Sequence, residues 1–196
     1  MKKFITAAFL MLSVALSAQN DSVYVVETPI YLVHYSYTKQ QPIHLEYEIT
    51  CPNGEVERSG DFWTDDRFAT SDGYDYRDNI WDKGHLAPAA TFSCTPEMLR
   101  MTFSYLNCAL QHESLNRGVW ARLERFERSL AYFYHVKVVV KVDFDENCEV
   151  LETGAMVPKG FYKTIYWSDK EAHFYFPNER TTGEGWHDFI LTPIED

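Results

Sequence analysis

The sequence predicts a single α+β domain built on a mainly antiparallel sheet. Three observations lead there. Runs rich in Val, Ile and Tyr come early, a helix-period segment fills the middle, and further strand-like runs close the chain. A chain of 196 residues can bury one sizeable core, and 45% hydrophobic with 16% aromatic content excludes disorder. No internal period marks a repeat protein.

Taken in order, Ser22–Tyr37 reads as strand, with "IYLVHYSY" its clearest part. After Pro42, "IHLEYEIT" alternates Ile43, Leu45, Tyr47 and Ile49 with His44, Glu46, Glu48 and Thr50, the period of a half-buried strand. "CPNGE" signals a turn, and the polar residues 59–79 form a long surface loop of the kind that carries function. Pro96–Leu106 reads as a short helix. Val119, Leu123, Phe126, Leu130 and Phe133 recur in steps of three and four, an amphipathic helix that begins near Asn116. "HVKVVVKVDF", "EVLETGAMVP", "FYKTIYW" and "AHFYFP" are then expected as strands.

The first stretch, "MKKFITAAFLMLSVALSAQN", has a charged head, an apolar run and small residues near Ala18. That pattern reads residues 1–18 as a signal peptide and 19–196 as the domain. A retained membrane anchor is the alternative, although the run is short for a spanning helix. Export implies a periplasmic or extracellular location with no stable membrane association. It also makes Cys51, Cys94, Cys108 and Cys148 candidates for disulfides. Their spacing contains no CxxC, so a zinc knuckle is not indicated, and one or two disulfides or buried free thiols all stay open.

Net charge is −11, and removal of Lys2 and Lys3 leaves 16 basic against 29 acidic side chains. Broad, tight binding of a polyanion is disfavoured by this balance, so any such substrate must meet a local cluster of cations.

Among seven histidines, none shows HExxH or HxxxH spacing, and His34, His44 and His173 fall inside strand patterns. His85 stands apart in "WDKGHLAPAA". Gly84 allows a sharp turn before it, and small residues follow. A neutral histidine there can take a proton from water, or simply occupy an ordinary turn. Downstream, Asn107 and Asn116 flank a segment without clear periodicity. Asn116 suits a helix N-cap, or a magnesium ligand through its amide oxygen. On a continuous helix Glu124 lies about 80° round and roughly 12 Å along from Asn116. It can pair with Arg128 at i,i+4, or serve as a carboxylate beside a metal.

Together "DKGHLAPAA", "TFSYLNCALQ" and "LNRGVWARLERFERSL" resemble the DNA/RNA non-specific endonucleases, whose ββα-metal core carries a DRGH signature. The resemblance runs from about Arg58 to Asn178, with "RSGDFWTDD" and "DYRDNIWDKGH" upstream and "VPKGFYK" and "FPN" downstream. A lone DxGH is weak; this ordered set is specific. It implies His85 as general base, Asn116 as the protein ligand for magnesium (manganese being an alternative), and Glu124 as the acidic residue beside the metal-water cluster. It further implies Asn107 as a supporting asparagine and Arg58 as the upstream phosphate contact, with Arg67 and Arg77 as rivals. Arg128 matches a family arginine that pairs with Glu124 and, with Arg58 and Lys83, is expected to contact substrate. Lys83 replaces the arginine of DRGH, keeping charge but losing the planar fork. Leu110 replaces a usual proline, an expected change in loop rigidity only.

The resemblance implies a sequence- and sugar-nonspecific endonuclease acting on DNA and RNA and leaving 5′-phosphate ends, since contacts to phosphate read neither base nor sugar. A catalytically silent extracellular nucleic-acid-binding module on the same scaffold is the alternative, and an antibacterial toxin a third. Preference between DNA and RNA and formation of a homodimer are left open by the sequence.

Overall fold

The structure, a computed structural model, describes residues 22–58 and 60–192; the expected signal peptide lies outside them. Seven antiparallel strands form the main sheet: β1 (Val23–Glu27), β2 (Leu32–Ser36), β3 (Gln41–Glu48), β6 (Val136–Asp143), β7 (Gly160–Trp167), β8 (Lys170–Pro177) and β9 (Ile190–Thr192), in that spatial order. A separate two-stranded ribbon pairs β4 (Trp81–His85) with β5 (Cys108–His112). Helix α1 (Pro96–Thr102) lies between the two ribbon strands in sequence. After β5 come a single helical turn α2 (Glu113–Leu115), a π-helical stretch over Asn116–Trp120, and α3 (Ala121–Leu130).

Alternation sets the buried face of the sheet. Leu45 and Tyr47 of β3, Val136, Val138, Val140 and Val142 of β6, and Phe161 and Ile165 of β7 all point inward. They close on Leu115, Val119, Trp120 and Leu123 from the helical side, and on Leu86, Phe92 and Leu106 from the ribbon side. One inward position carries a charge. Lys163 of β7 is fully buried, and its Nζ lies 2.7 Å from Oε1 of the equally buried Glu127 on α3. Tyr47 Oη donates to the other carboxylate oxygen at 2.7 Å, and the Lys163 ammonium lies 4.0 Å from the centre of the Trp120 ring. This group ties α3 to the middle of the sheet.

Several expectations need correction. Ser22–Tyr37 is two strands, because Thr28 Oγ1 both accepts from Tyr31 N and donates to Tyr31 O, folding the chain at Pro29. Residues 149–158 form no strand, only an isolated bridge between Val150 and Met156. α1 ends at Thr102, and its start is set by Thr95, whose hydroxyl accepts from Met98 N with Pro96 at the first helical position. The apolar stripe ends with α3, so Phe133 is 81% exposed beyond it. The ribbon strands carry too little alternation to be read from sequence.

One disulfide is present, Cys51–Cys94, joining the chain after β3 to the segment before α1. Cys108 is a buried free thiol, and Cys148 is free and half-buried.

Candidate active site

The site is assembled from the ribbon and the helix that follows it. β4 and β5 pair so that Gly84 faces Ala109 and His85 faces Cys108. Gly84 is therefore a strand residue, not the turn expected from the sequence, and close approach explains it. A Cβ at Gly84 would fall 2.5 Å from Gln111 Oε1 and 2.6 Å from Gln111 Cβ. Gly84→Ala is expected to part the ribbon locally and displace His85. A shift of about 1 Å costs on the order of 100-fold in kcat, measurable against an unchanged fold by circular dichroism.

His85, the last residue of β4, is half-buried between Phe62 and Phe103, whose ring centres lie 4.8 and 5.1 Å away. Its Nε2 is buried without a protein partner, which leaves Nδ1 as the ring nitrogen for chemistry. Burial, reinforced by the nearby Arg58 charge, lowers its pKa to about 3, so the ring is neutral at physiological pH. The strand beyond it is held by Asn107. This side chain is fully buried, with Oδ1 accepting from Ala87 N at 2.7 Å and Nδ2 donating to Ala87 O and Thr102 O at 2.9 and 2.8 Å. Asn107 thus positions the residues after His85 and does not face the cleft.

A cleft of about 400 Å³ is lined by Arg58, Phe62, Tyr76, Trp81, Asp82, Lys83, His85, Phe103 and Asn116. Of the three upstream arginines, only Arg58 lines it. Arg67 is held bidentately by Asp65, and Arg77 lies over the Tyr74 ring. Lys83 Nζ is 3.2 Å from Asp61 Oδ1 and 5.6 Å from the centre of the Tyr105 ring. Burial works against its charge, but hydrogen bonding with Tyr105 and Asp61 outweighs this and raises its pKa.

Asn116 is not a helix N-cap; it follows α2 directly. Its backbone is αR, and its Nδ2 donates to Asp82 Oδ2 at 2.9 Å. The amide oxygen is consequently the end left free for a cation. Asp82, the acidic residue of DKGH, also grips Arg117 through Nε at 2.8 Å and Nη2 at 2.6 Å. Gly118 leaves helical geometry (φ −101°, ψ −109°), so Asn116 precedes a kink and the continuous-helix relation to Glu124 does not hold.

Glu124 and Arg128 do not line the cleft. Glu124 is half-buried on α3, and burial raises its pKa to about 7 against the opposing charge of Lys163. The neighbouring Glu127 carboxylate pushes in the same direction as burial, while Arg128 opposes it. Among the described residues Glu124 and Arg128 form no ion pair, contrary to expectation, and Arg128 Nη1 is buried without a hydrogen-bond partner. Leu110 lies within β5, not in a loop, and its N–H donates to Gln41 Oε1 at 2.9 Å, a bond proline could not make.

Residues that the sequence reading passed over include Asp82, Phe62, Phe103, Glu127 and Lys163. The first stood inside the quoted motif. Glu127 falls on the helical stripe four residues after Leu123, and Lys163 alternates with Phe161 and Ile165, so a charge on a buried face was the available signal.

A family model described as DNA/RNA non-specific endonuclease matches residues 15–195. Bovine mitochondrial endonuclease G (Bos taurus) is 36% identical over 85 residues, 41% of this chain and 28% of that protein. The human protein (Homo sapiens) is 40% identical over 60 residues, 31% of this chain and 20% of its own length. A salivary endonuclease of Lutzomyia longipalpis is 34% identical over 91 residues, 46% of this chain and 20% of that protein. These curated relatives are therefore matched over less than a third of their length. A solved structure of the EndoG/EndoGI complex superposes with a TM-score of 0.77 at 25% identity, covering 86% of this chain and 80% of that one. With a ribbon, a kinked helix and a histidine-bearing cleft in this arrangement, and a family model matching nearly its whole length, the chain belongs to the DNA/RNA non-specific endonuclease family.

Proposed function

We propose that the chain is an exported, metal-dependent endonuclease that hydrolyses phosphodiester bonds in DNA and RNA without reading sequence or sugar. The observation that carries this reading is one cleft that gathers a neutral histidine, two cations and an oriented amide oxygen. Export is supported by the Cys51–Cys94 disulfide, a bond that persists in oxidising compartments.

The residues fit a magnesium ion. Asn116 Oδ1 offers a single amide oxygen, with Asp82 beside it already bonded to Asn116 and Arg117, so a cation held there would keep most of its own water. Magnesium does this, with manganese as a substitute. Asn116 would hold the ion, which would supply positive charge against the negative charge of the phosphodiester. His85 Nδ1 accepts the proton of the attacking water, and Phe62 and Phe103 hold the ring for it. Arg58 and Lys83 stabilise the negative charge that grows on the phosphate oxygens. Glu124, which titrates near neutrality, can furnish a proton on the leaving side through water. Asn107 positions, and Arg128 offsets the Glu124 charge from within α3.

The direct test incubates the purified protein with plasmid and total RNA while magnesium or manganese is titrated from zero across pH 6–9. Cleavage that requires metal and leaves 5′-phosphate ends is expected. Intact substrate at every condition sinks the reading, and binding without cleavage would mark a silent nucleic-acid-binding module instead.

Asp82→Leu is expected to weaken magnesium or manganese binding about 10–100-fold, because Asn116 then loses the acceptor that fixes its amide orientation. Calorimetric titration of the metal measures this without reference to turnover, and unchanged affinity would show that Asp82 does not orient the ligand.

A further inference from the structure

We propose that this cleft takes unpaired nucleic acid strands in preference to duplex, with a nucleobase stacked on Trp81 while a neighbouring phosphate meets Lys83. The inference rests on the nuclease reading above and narrows its substrate class.

Alternate residues of β4 share a face, so Trp81, Lys83 and His85 form a row with steps of about 6.8 Å, and all three line the cleft. The row orders an aromatic ring, a cation and a base along one strand. Other aromatic residues of the cleft are already engaged. Phe62 and Phe103 flank His85, and the Tyr76 hydroxyl accepts from the Cys108 thiol at 3.2 Å. Trp81 is half-buried, packs against the cluster of Leu110, Ala155 and Val157, meets His112 at right angles with ring centres 5.9 Å apart, and still lines the cleft.

Charge supply around the cleft is small. Arg117 is tied to Asp82 and Glu113, and Arg67 to Asp65. Two cations line the cleft, Arg58 and Lys83, the second of them 3.2 Å from the exposed Asp61 carboxylate, in a chain of net charge −11. Proteins that hold duplex by charge engage about 6–10 phosphates. Two cannot supply that affinity, so a short-range contribution is needed, and base–aromatic stacking is one. In a duplex the flat faces of the bases are covered by their neighbours at about 3.4 Å steps, half the spacing from Trp81 to Lys83. An extended, unstacked strand can present a base face and a phosphate to this row together.

The test measures binding by fluorescence anisotropy in EDTA, using oligothymidine, the same strand annealed to oligoadenosine, and a strand of abasic residues. Cleavage of the three is then followed with magnesium and with manganese. Oligothymidine is expected to bind at least about tenfold more tightly than duplex, with the abasic strand losing about that factor. The plot of log affinity against log salt should be no steeper than about −2, as two phosphate contacts dictate. Trp81→Leu should bring oligothymidine down to the level of the abasic strand. Equal binding of duplex and single strand, or of abasic and base-bearing strands, overturns the proposal, and the wild-type comparison decides it even if the variant fails to fold. Absence of cleavage with either metal on all three substrates would remove the nuclease reading, while the binding series in EDTA still decides the stacking proposal.

Discussion

Replacing His85 with alanine is expected to lower kcat for phosphodiester cleavage by about 10²–10⁴-fold, the range for losing a positioned general base. Metal affinity should hold, because Asn116 and Asp82 are untouched. A variant with wild-type turnover would remove His85 from the reaction. The pH dependence follows from the same residue. With its pKa lowered to about 3, His85 stays neutral throughout the working range and sets no acid limb near the ordinary histidine value. A limb near pH 7 would instead report Glu124, raised to about 7, and should vanish in Glu124→Gln.

His85 also links pH to stability. Its folded pKa is depressed, so its neutral form is accommodated without penalty above about pH 6.5, and stability is lost as pH falls from there toward 3. Full protonation costs at most about 5 kcal/mol by the pKa difference. His85→Ala removes this term, so the variant should lose less stability than the wild type between pH 6 and 4 in urea unfolding. A parallel decline in both proteins would contradict the buried, neutral ring.

Lys163→Met is expected to destabilise the fold by about 3–5 kcal/mol, because it strands the Glu127 carboxylate in the core with only Tyr47 to hold it. Domains of this size have total stabilities of about 5–15 kcal/mol, so the single substitution brings the protein close to unfolding. The combination Lys163→Met, Glu127→Leu and Tyr47→Phe removes all three polar partners and should recover most of the loss. Urea denaturation of the two proteins measures the difference. If the single variant is as stable as the wild type, the buried pair is not what fastens α3 to the sheet. Because α3 follows directly from the stretch carrying Asn116, activity per folded molecule reports whether the pair also holds the site in place.

The strands of the main sheet were legible where alternation was strong, as at Leu45, Tyr47 and Ile49, and where β-branched runs were long, as in β6. They were misread where local pattern and tertiary pairing diverged. "EVLETGAMVP" has strand-like composition but finds no edge to join, and the ribbon strands bear glycine, lysine and aspartate yet pair because the chain brings them together. The helix stripe was visible, but its kink at Gly118 was not, since a glycine alone does not announce a non-helical backbone.

The sequence by itself determined the α+β class, the ordered motifs that resemble one nuclease family, and the acidic net charge. Those features are local in the chain or additive over it. Only the tertiary structure decided that Cys51 pairs with Cys94, that Arg58 reaches the cleft while Arg67 and Arg77 are engaged elsewhere, and that Asp82 turns the Asn116 amide. It also decided that Arg128 acts on Glu124 through charge without a hydrogen bond, and that a lysine and a glutamate share the core. Each of these depends on distances between residues remote in sequence. Burial and Coulomb interactions act through space, and the spacing of letters along the chain does not contain them.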